Sequence, residues 1–428
     1  MRTARARKRH RTNWCREVHA VALTLASSGG WSVAAEQVVE YEVRPIENVL
    51  DQTFEIPDDG DPTLDVLGRA RKQSPRRLVV IDREVEQIYG DKIYDFLNRH
   101  GVEYRPLVLP GGEATKTMRT VFRICRELDS FGVARRSEPL IVFGGGVLND
   151  VGGMAASIYR RGIERIVYGT TLVALVDASV GAKVASDYNG YKNRLGTYRP
   201  ARLIIADRRF LGTQDRRRLA DGLSEILKLG IVCDSRLFEL LEKRGATVLN
   251  EKFQGETEPG DKTAVAILEA AMAGMLSELH ENLWEDQLAR ATYFGHTWSP
   301  KIEMRALELS RARLPWRRRA WLMHGEAVAL DMVLSVLMAC RRGLVTGEEC
   351  ERIVAVAKSL ELPTWDPLLD DSDTLAAGLE DSIRHRDGKQ LVPLPRGIGG
   401  VTFANDISHD EIAEAVEQMR SLGGQCLA

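Results

Sequence analysis

Hydrophobic positions in the first half of the chain fall in short runs separated by helical patterns. Arg77-Leu-Val-Val-Ile-Asp82, Tyr104–Leu109, Leu140-Ile-Val-Phe143 and Ala201–Asp207 are compact apolar runs bounded by turn residues, which predicts buried strands. Glu84–Arg99 and Thr115–Phe131 lie between them and repeat apolar residues at helical spacing. Strands alternating with helices predict a mostly parallel sheet. Ahead of these, Gln37–Val43 alternates apolar and polar residues, predicting a half-buried strand, and Asp59-Gly-Asp-Pro62 predicts a loop. From about residue 210 the pattern changes. Arg216–Glu242, Ala264–Leu288, Glu326–Cys340 and Glu348–Leu360 all carry helical periodicity, so the second half reads as all-α, with a boundary near residues 207–212.

Composition narrows this picture without redirecting it. The chain has 428 residues, 44% of them hydrophobic, enough for two domains with real cores. A net charge of −2 gives no overall field pointing to nucleic acid or a membrane. Residues 1–16 hold seven Lys/Arg and no acid, and a disordered basic tail is favoured there over a nucleic-acid arm. The six cysteines are scattered without a C-x-x-C, which suits a reducing cytoplasm. Val18–Ala26 after this basic start has a loose likeness to a signal peptide, but the apolar run is short and broken by Thr24. No run reaches the length of a transmembrane helix.

Candidate chemistry clusters where predicted strands end. Gly144-Gly145-Gly146-Val147, before a helix-compatible segment holding Asp150, suits a backbone that approaches an anionic ligand at a helix start; alone it fits a structural turn equally well. Asp82 ends a strand, where an acid can bind a ribose or cap the next helix. Glu113 and Lys116 sit one helical turn apart. Thr170, Thr171, Asp177 and Lys183 follow, then a polar segment, Asp187–Gly196, read as a loop holding Lys192, Asn193 and Arg194, a set that suits a phosphate ester or a solvated surface. In the second half Glu225 and Lys228 share a helical face, as a plain salt bridge would. His296 and His324 each neighbour a glycine; two His and one Glu would leave an open position on a catalytic divalent metal, though no H-E-x-x-H spacing supports it.

Taken together these residues resemble the sugar phosphate cyclases, the superfamily that includes dehydroquinate synthase. The resemblance covers roughly residues 35–405 and rests on Gly111-Gly-Glu-x-x-Lys116, Gly144-Gly-Gly-Val-x-x-Asp150, Thr170-Thr171 through Asp177 to Lys183, Lys192-Asn193, Glu225-x-x-Lys228, Phe294-Gly-His296 and His324-Gly-Glu326, in that order. It implies a basic, flexible N-terminal extension (1–34), a Rossmann-like NAD-binding α/β domain (35–208) and an all-α metal- and substrate-binding domain (209–428), with the active site between the last two. By resemblance, Asp82, Glu113, Lys116, Gly145, Gly146, Val147, Asp150, Thr170 and Thr171 contact NAD, and Glu225, His296 and His324 hold zinc or cobalt. Asp177, Lys183, Lys192, Asn193 and Lys228 meet the sugar phosphate. Arg161 matches an arginine that reaches the neighbouring subunit's phosphate pocket, implying a homodimer.

Details point to one branch. Dehydroquinate synthases carry a second His shortly after the first metal His, where this chain has Pro300, and their carboxylate-gripping Arg and Lys align with Ala289 and Met275. A substrate carboxylate would lack cationic partners there. Phe294-Gly-His-x-x-Ser-Pro300, Lys192-Asn-Arg-Leu-Gly-x-Tyr198 and His385-Arg-Asp-Gly388 instead resemble the sedoheptulose 7-phosphate cyclases, and Leu279 with His385 fits those forming 2-epi-5-epi-valiolone. The implied reaction is transient oxidation by NAD⁺, phosphate elimination, reduction, ring opening and an intramolecular aldol closure. Tyr293 stands where the branch usually has Asp, leaving an epimeric product open, and Arg311–Trp321 is an apparent Arg-rich insertion. A metal-dependent polyol dehydrogenase and 3-dehydroquinate synthase itself are the alternative activities.

Overall fold

The computed structural model describes residues 18–25, 31–56, 67, 76–311 and 321–424. Most of the Arg-rich insertion, the expected loop at residues 59–62 and the basic start lie outside the described residues.

The chain divides into two units, Met1–Glu42 and Val43–Ala428. Within the first, β1 (Val18–Leu25) and β2 (Trp31–Gln37) pair antiparallel, Val18 opposite Gln37 and Leu25 opposite Trp31. The run that has a likeness to a signal peptide is thus a strand, and this stretch of the expected extension pairs as two strands.

The second unit begins on β3 (Glu42–Pro45). The alternation from Gln37 overstates the length of this strand, since Val38 lies before it and is 54% exposed, while Val39, Tyr41 and Val43 are half-buried and Val43 packs on the core. β4 (Arg76–Asp82), α1 (Arg83–Arg99), β5 (Glu103–Leu109), α2 (Met118–Phe131), β6 (Leu140–Gly144), α3 (Gly146–Ile158) and β7 (Arg165–Gly169) then alternate as the pattern predicts. β8 (Lys183–Tyr188) and β9 (Tyr191–Tyr198) form a separate hairpin, and β10 (Leu203–Ala206) returns to the main sheet. The strand order of that sheet is β3-β10-β7-β6-β4-β5, and every pair from β10 to β5 is parallel. β6 and β7 are buried along their whole length, as the unbroken apolar runs require of a sheet covered on both faces.

The hairpin corrects the expected polar loop at Asp187–Gly196. Tyr188 pairs with Tyr191, leaving a two-residue turn at Asn189 (φ 51°) and Gly190 (φ 77°). Both residues sit in the left-handed region, as a turn matching the right-handed strand twist demands.

The C-terminal part comprises α4 (Arg216–Val232), α5 (Ser235–Asn250), α6 (Glu258–His280), α7 (Ser299–Ser310), α8 (His324–Arg341), α9 (Gly347–Ser359), α10 (Ser372–His385) and α11 (His409–Gly424). It is not purely helical: β11 (Val392–Pro395) and β12 (Val401–Ala404) pair antiparallel. α6 also stops eight residues short of the expected Leu288. Asn282 takes over there, its side chain accepting from Gln287 N (3.1 Å) and donating to Gln287 O (2.8 Å), which closes a loop in place of further helix.

α4 is buried from Leu219 to Val232 and α8 at Gly325 and from Ala327 to Ala339. Helices buried on every face over this length lie at the centre of a bundle, and the polar residues α4 buries, Asp221, Glu225 and Lys228, are paired there. Their crossing is tight: a Cβ on Gly325 would lie 2.0 Å from the Asp221 carbonyl oxygen, so only glycine fits. Asp221 Oδ1 accepts from Gly325 N at 2.5 Å and ties the start of α8 to α4.

Candidate active site

The carboxyl ends of β4, β5, β6 and β7 converge on one edge, where ligands of such sheets gather. Beside it lies a cleft of 1350 Å³ between the sheet and the helical bundle. Of the residues expected to bind NAD, metal or substrate, all but Glu225 and Arg161 line it. Glu225 is buried just beneath, 1% exposed. Arg161 is exposed, with φ at 63°, in a turn after α3 and away from the cleft of its own chain.

Asp82 ends β4 and accepts from Glu84 N at 2.9 Å, so it caps α1 while facing the cleft. Burial pushes its carboxyl pKa up. Gly145 precedes α3, whose first N–H groups receive no side-chain cap, leaving an electropositive helix end toward the cleft. A Cβ on Gly145 would lie 2.9 Å from Thr171 Cγ2, so the turn is closed to larger residues. Lys116 is buried and bonded to Asp150 Oδ2 (2.5 Å) and Asn193 Oδ1 (2.5 Å), joining the start of α2, α3 and the β8–β9 hairpin. Asp150 also accepts from Ala185 N at 3.3 Å. Thr170 Oγ1 and Glu113 Oε1 are buried without a hydrogen-bond partner among the described residues. Donors and acceptors left so at a cleft edge are suited to a polar ligand.

The second cluster lies where α4, α7 and α8 meet. Glu225 Oε1 stands 3.8 Å from His296 Nε2 and 3.4 Å from His324 Nε2, and it makes no hydrogen bond among the described residues. Its other oxygen is taken by Lys228. The outer ring nitrogens are occupied: His296 Nδ1 is 3.2 Å from Phe294 O, and His324 Nδ1 is 3.0 Å from Glu303 Oε2. A proton on each Nδ1 would satisfy these acceptors and leave each Nε2 to offer a lone pair inward. At His324 the Lys192 ammonium also stands 3.2 Å from Nδ1, and, against burial and that ammonium, the Glu225 and Glu303 carboxylates raise the ring's pKa to about 9 while no metal is bound. The three donor atoms lie within 4.8 Å of one another. Ligands about 2.0–2.1 Å from a tetrahedral zinc stand about 3.3 Å apart, so the set fits a divalent metal with a position open to the cleft. The outer bonds are those that orient metal-binding imidazoles.

Charges around this set are strongly coupled. Burial and the Lys228 ammonium keep His296 neutral, its pKa pushed down to about 3. Burial and the Glu225 carboxylate push Asp177 up against the pull of Lys228. Asp177 sits in a π-helical turn, Ala174–Ala178, a distortion frequent at functional sites. Burial opposes the Lys192 ammonium, but the Glu303 and Glu113 carboxylates, 2.6 and 3.6 Å away, hold its pKa above the ordinary value.

The third group surrounds Tyr293, whose hydroxyl is 2.6 Å from His385 Nε2. Arg290 and Arg386 lie against its ring at 4.1 and 4.5 Å. Lys183 is 5.4 Å from the ring centroid and 2.5 Å from Glu285 Oε1. Sequence reasoning passed over Glu303, Asp221, Glu285 and Arg290. Glu303 follows Ser299-Pro300 at the start of a helix, which was the available signal for a helical residue facing the histidines.

The family models of 3-dehydroquinate synthase, N-terminal and C-terminal, match residues 106–221 and 222–382 respectively. The chain belongs to the 3-dehydroquinate synthase family. Similar members of this family include the 2-epi-5-epi-valiolone synthases of Streptomyces albus, 47% identical over 92% of each chain, and of Actinoplanes sp., 46% identical over 94% of this chain and 96% of that one. Among solved structures of the family, 2-epi-5-epi-valiolone synthase from Streptomyces hygroscopicus subsp. jinggangensis 5008, with NAD+ and Zn2+ bound, is 40% identical with a TM-score of 0.81 and covers 92% of this chain and 100% of that one. No helix of the described residues is long and apolar enough to cross a membrane.

Proposed function

We propose that this cleft converts sedoheptulose 7-phosphate into 2-epi-5-epi-valiolone or an epimer of it, with release of phosphate, using NAD and a divalent metal, zinc or cobalt. The carrying observation is that the Glu225, His296 and His324 donor set opens on the same cleft as the cationic hairpin bearing Lys183, Lys192 and Asn193. Met275 and Leu279 make part of the wall apolar, which suits a substrate without a carboxylate.

Glu225, His296 and His324 would hold the metal. Asp82, Glu113, Lys116, Gly145, Gly146, Val147, Asp150, Thr170 and Thr171 would hold NAD, and residues 35–208 and 209–428 divide as the NAD-binding and metal- and substrate-binding domains. When bound, the metal supplies a Lewis acid and NAD⁺ a hydride acceptor regenerated within each turnover. Lys183, Lys192 and Asn193 bind the phosphate ester as charge-assisted donors. Lys228 and Asp177 orient hydroxyls above Glu225, and Tyr293 with His385 shapes the far wall where the new ring closes. The burial of these groups excludes water from the reacting carbons. Arg161 is exposed and does not line its own cleft, and we assign it to the phosphate pocket of a second copy in a homodimer. We place the enzyme in the cytoplasm.

Incubation with sedoheptulose 7-phosphate, NAD⁺ and Zn²⁺ should release inorganic phosphate without steady accumulation of NADH, and NMR should assign the cyclitol. NADH accumulating without phosphate would make the protein a polyol dehydrogenase, and turnover of the dehydroquinate precursor alone would refute the substrate. Light scattering checks the dimer.

A further inference from the structure

Glu285 lies at a meeting point of three elements. Its backbone is left-handed (φ 59°), a conformation unfavourable to a non-glycine residue that persists only where surroundings enforce it. Its residue is 8% exposed. The carboxylate bonds Lys183 Nζ on β8 (2.5 Å), the Tyr198 hydroxyl on β9 (3.2 Å) and the Arg290 guanidinium on its own loop. Its backbone N–H donates to Asn282 O at 3.0 Å, within the loop that Asn282 closes against Gln287. A buried carboxylate is thus delivered from the helical part of the molecule to a lysine of the sheet part that projects, half exposed, into the cleft.

We propose that Glu285 is the positioning residue for Lys183, holding its ammonium aimed across the cleft toward Tyr293 for contact with the phosphorylated substrate. The proposal rests on the reading that Lys183 meets the sugar phosphate. The groups facing Lys183 make the need plain. Arg290 repels it, and His385 at the end of α10 and the Tyr293 ring crowd the same space. Asp177 attracts it from the π-helical turn, and Glu285 is the carboxylate in direct contact. Although its ammonium is half exposed to the cleft, the protein around it and then Arg290 push the Lys183 pKa below its ordinary value, with Glu285 opposing. Without the Glu285 charge that opposition is lost and Lys183 deprotonates at lower pH. Arg290, released at the same time, would be free to shift from the Tyr293 ring.

The test uses the full-length holoenzyme with isotope-labelled methyl groups on its lysine amines, titrated by NMR, the Lys183 resonance being assigned with Lys183→Arg. In Glu285→Gln, Lys183 should titrate about one pH unit lower than in the wild type. The KM for sedoheptulose 7-phosphate should rise about tenfold, and the basic limb of kcat/KM should move to lower pH by the same interval. Glu285→Asp should recover most of both effects. A merely structural role predicts a lower melting temperature and lower kcat with the Lys183 titration unmoved, and that outcome overturns the proposal. If the wild type releases no phosphate from sedoheptulose 7-phosphate, the substrate reading fails, while the lysine titration still decides whether Glu285 sets the state of Lys183.

Discussion

Glu303 Oε2 lies 3.0 Å from Nδ1 of His324 and so orients the ring that presents Nε2 to Glu225. The same oxygen is 2.6 Å from Lys192 Nζ, so one carboxylate serves the metal set and the cationic hairpin together. Glu303→Gln leaves the shape of the site but removes the charge. Metal affinity should fall about 10–100-fold, measured by competition with a chelator, since outer partners of ligating histidines contribute on that scale. The KM for the phosphorylated substrate should rise in parallel as Lys192 loses its anchor. Wild-type metal affinity in this variant would remove Glu303 from the metal site.

Gly325 sets how near α8 comes to α4. The Cβ of Gly325→Ala would meet Asp221 O at 2.0 Å and Ser224 Oγ at 2.3 Å, and the first of these is backbone that cannot rotate away. Overpacking of this kind costs about 1–3 kcal/mol. Because Glu225 sits on α4 and His324 opens α8, the strain falls between two metal ligands. The variant should melt at lower temperature and also lose bound metal at chelator concentrations the wild type withstands. A drop in melting temperature with unchanged metal retention would show that the crossing is structural alone.

The parallel sheet and the central helices were legible because apolar residues dominate them, as compact runs in the inner strands and at helical spacing in α8, where Asp331 and Ser335 are the polar interruptions. Leu140–Phe143 and the run through α8 could only be interior. The β8–β9 hairpin was misread because Lys192, Asn193 and Arg194 look like a solvated loop, while the informative pair was Asn189-Gly190 beside them. The histidines were visible by their glycine neighbours and Glu225 by its helical spacing to Lys228, but their convergence depends on α4 crossing α8, which no local pattern encodes. Glu285 and Glu303 were missed for a related reason. Each is an acid on a segment without a motif, and each acts only because folding brings it against a lysine of the sheet half.

Asp331 on α8 is fully buried, its Oδ2 accepting from Trp298 N (2.5 Å) and Ser299 N (2.9 Å). Burial pushes its pKa up to about 6 from 3.8, against the pull of those backbone donors. A carboxyl whose folded pKa is raised favours the folded state most when it is protonated. Its contribution is therefore lost as pH rises from about 4 to about 6, roughly 3 kcal/mol across that window. Asp331→Asn keeps an acceptor for the two N–H groups and does not titrate. Relative to the wild type, the variant should gain stability between pH 4 and pH 7, read by thermal or urea unfolding at both ends. A constant difference across this range would mean Asp331 titrates as an ordinary carboxyl.

Tyr293 and His385 form the wall on which the substrate reading places ring closure. The Tyr293 hydroxyl is 2.6 Å from His385 Nε2, a hydrogen bond that sets the ring's orientation, and burial, then Arg386, Lys183 and Arg290, push the His385 pKa down. Tyr293→Phe removes only the hydroxyl; the aromatic face on which Arg290 and Arg386 rest is retained. Loss of one neutral hydrogen bond corresponds to about 0.5–1.5 kcal/mol, or up to about a tenfold fall in kcat/KM. Bound metal should be unchanged, because Tyr293 touches none of the three donors. The ratio of cyclitol epimers, read by NMR, should move, and it should move further in Tyr293→Asp, which puts a carboxylate among Arg290, Arg386 and Lys183. If both variants keep the wild-type epimer ratio, stereochemistry is set elsewhere in the cleft, and Tyr293 serves only to pack the two arginines.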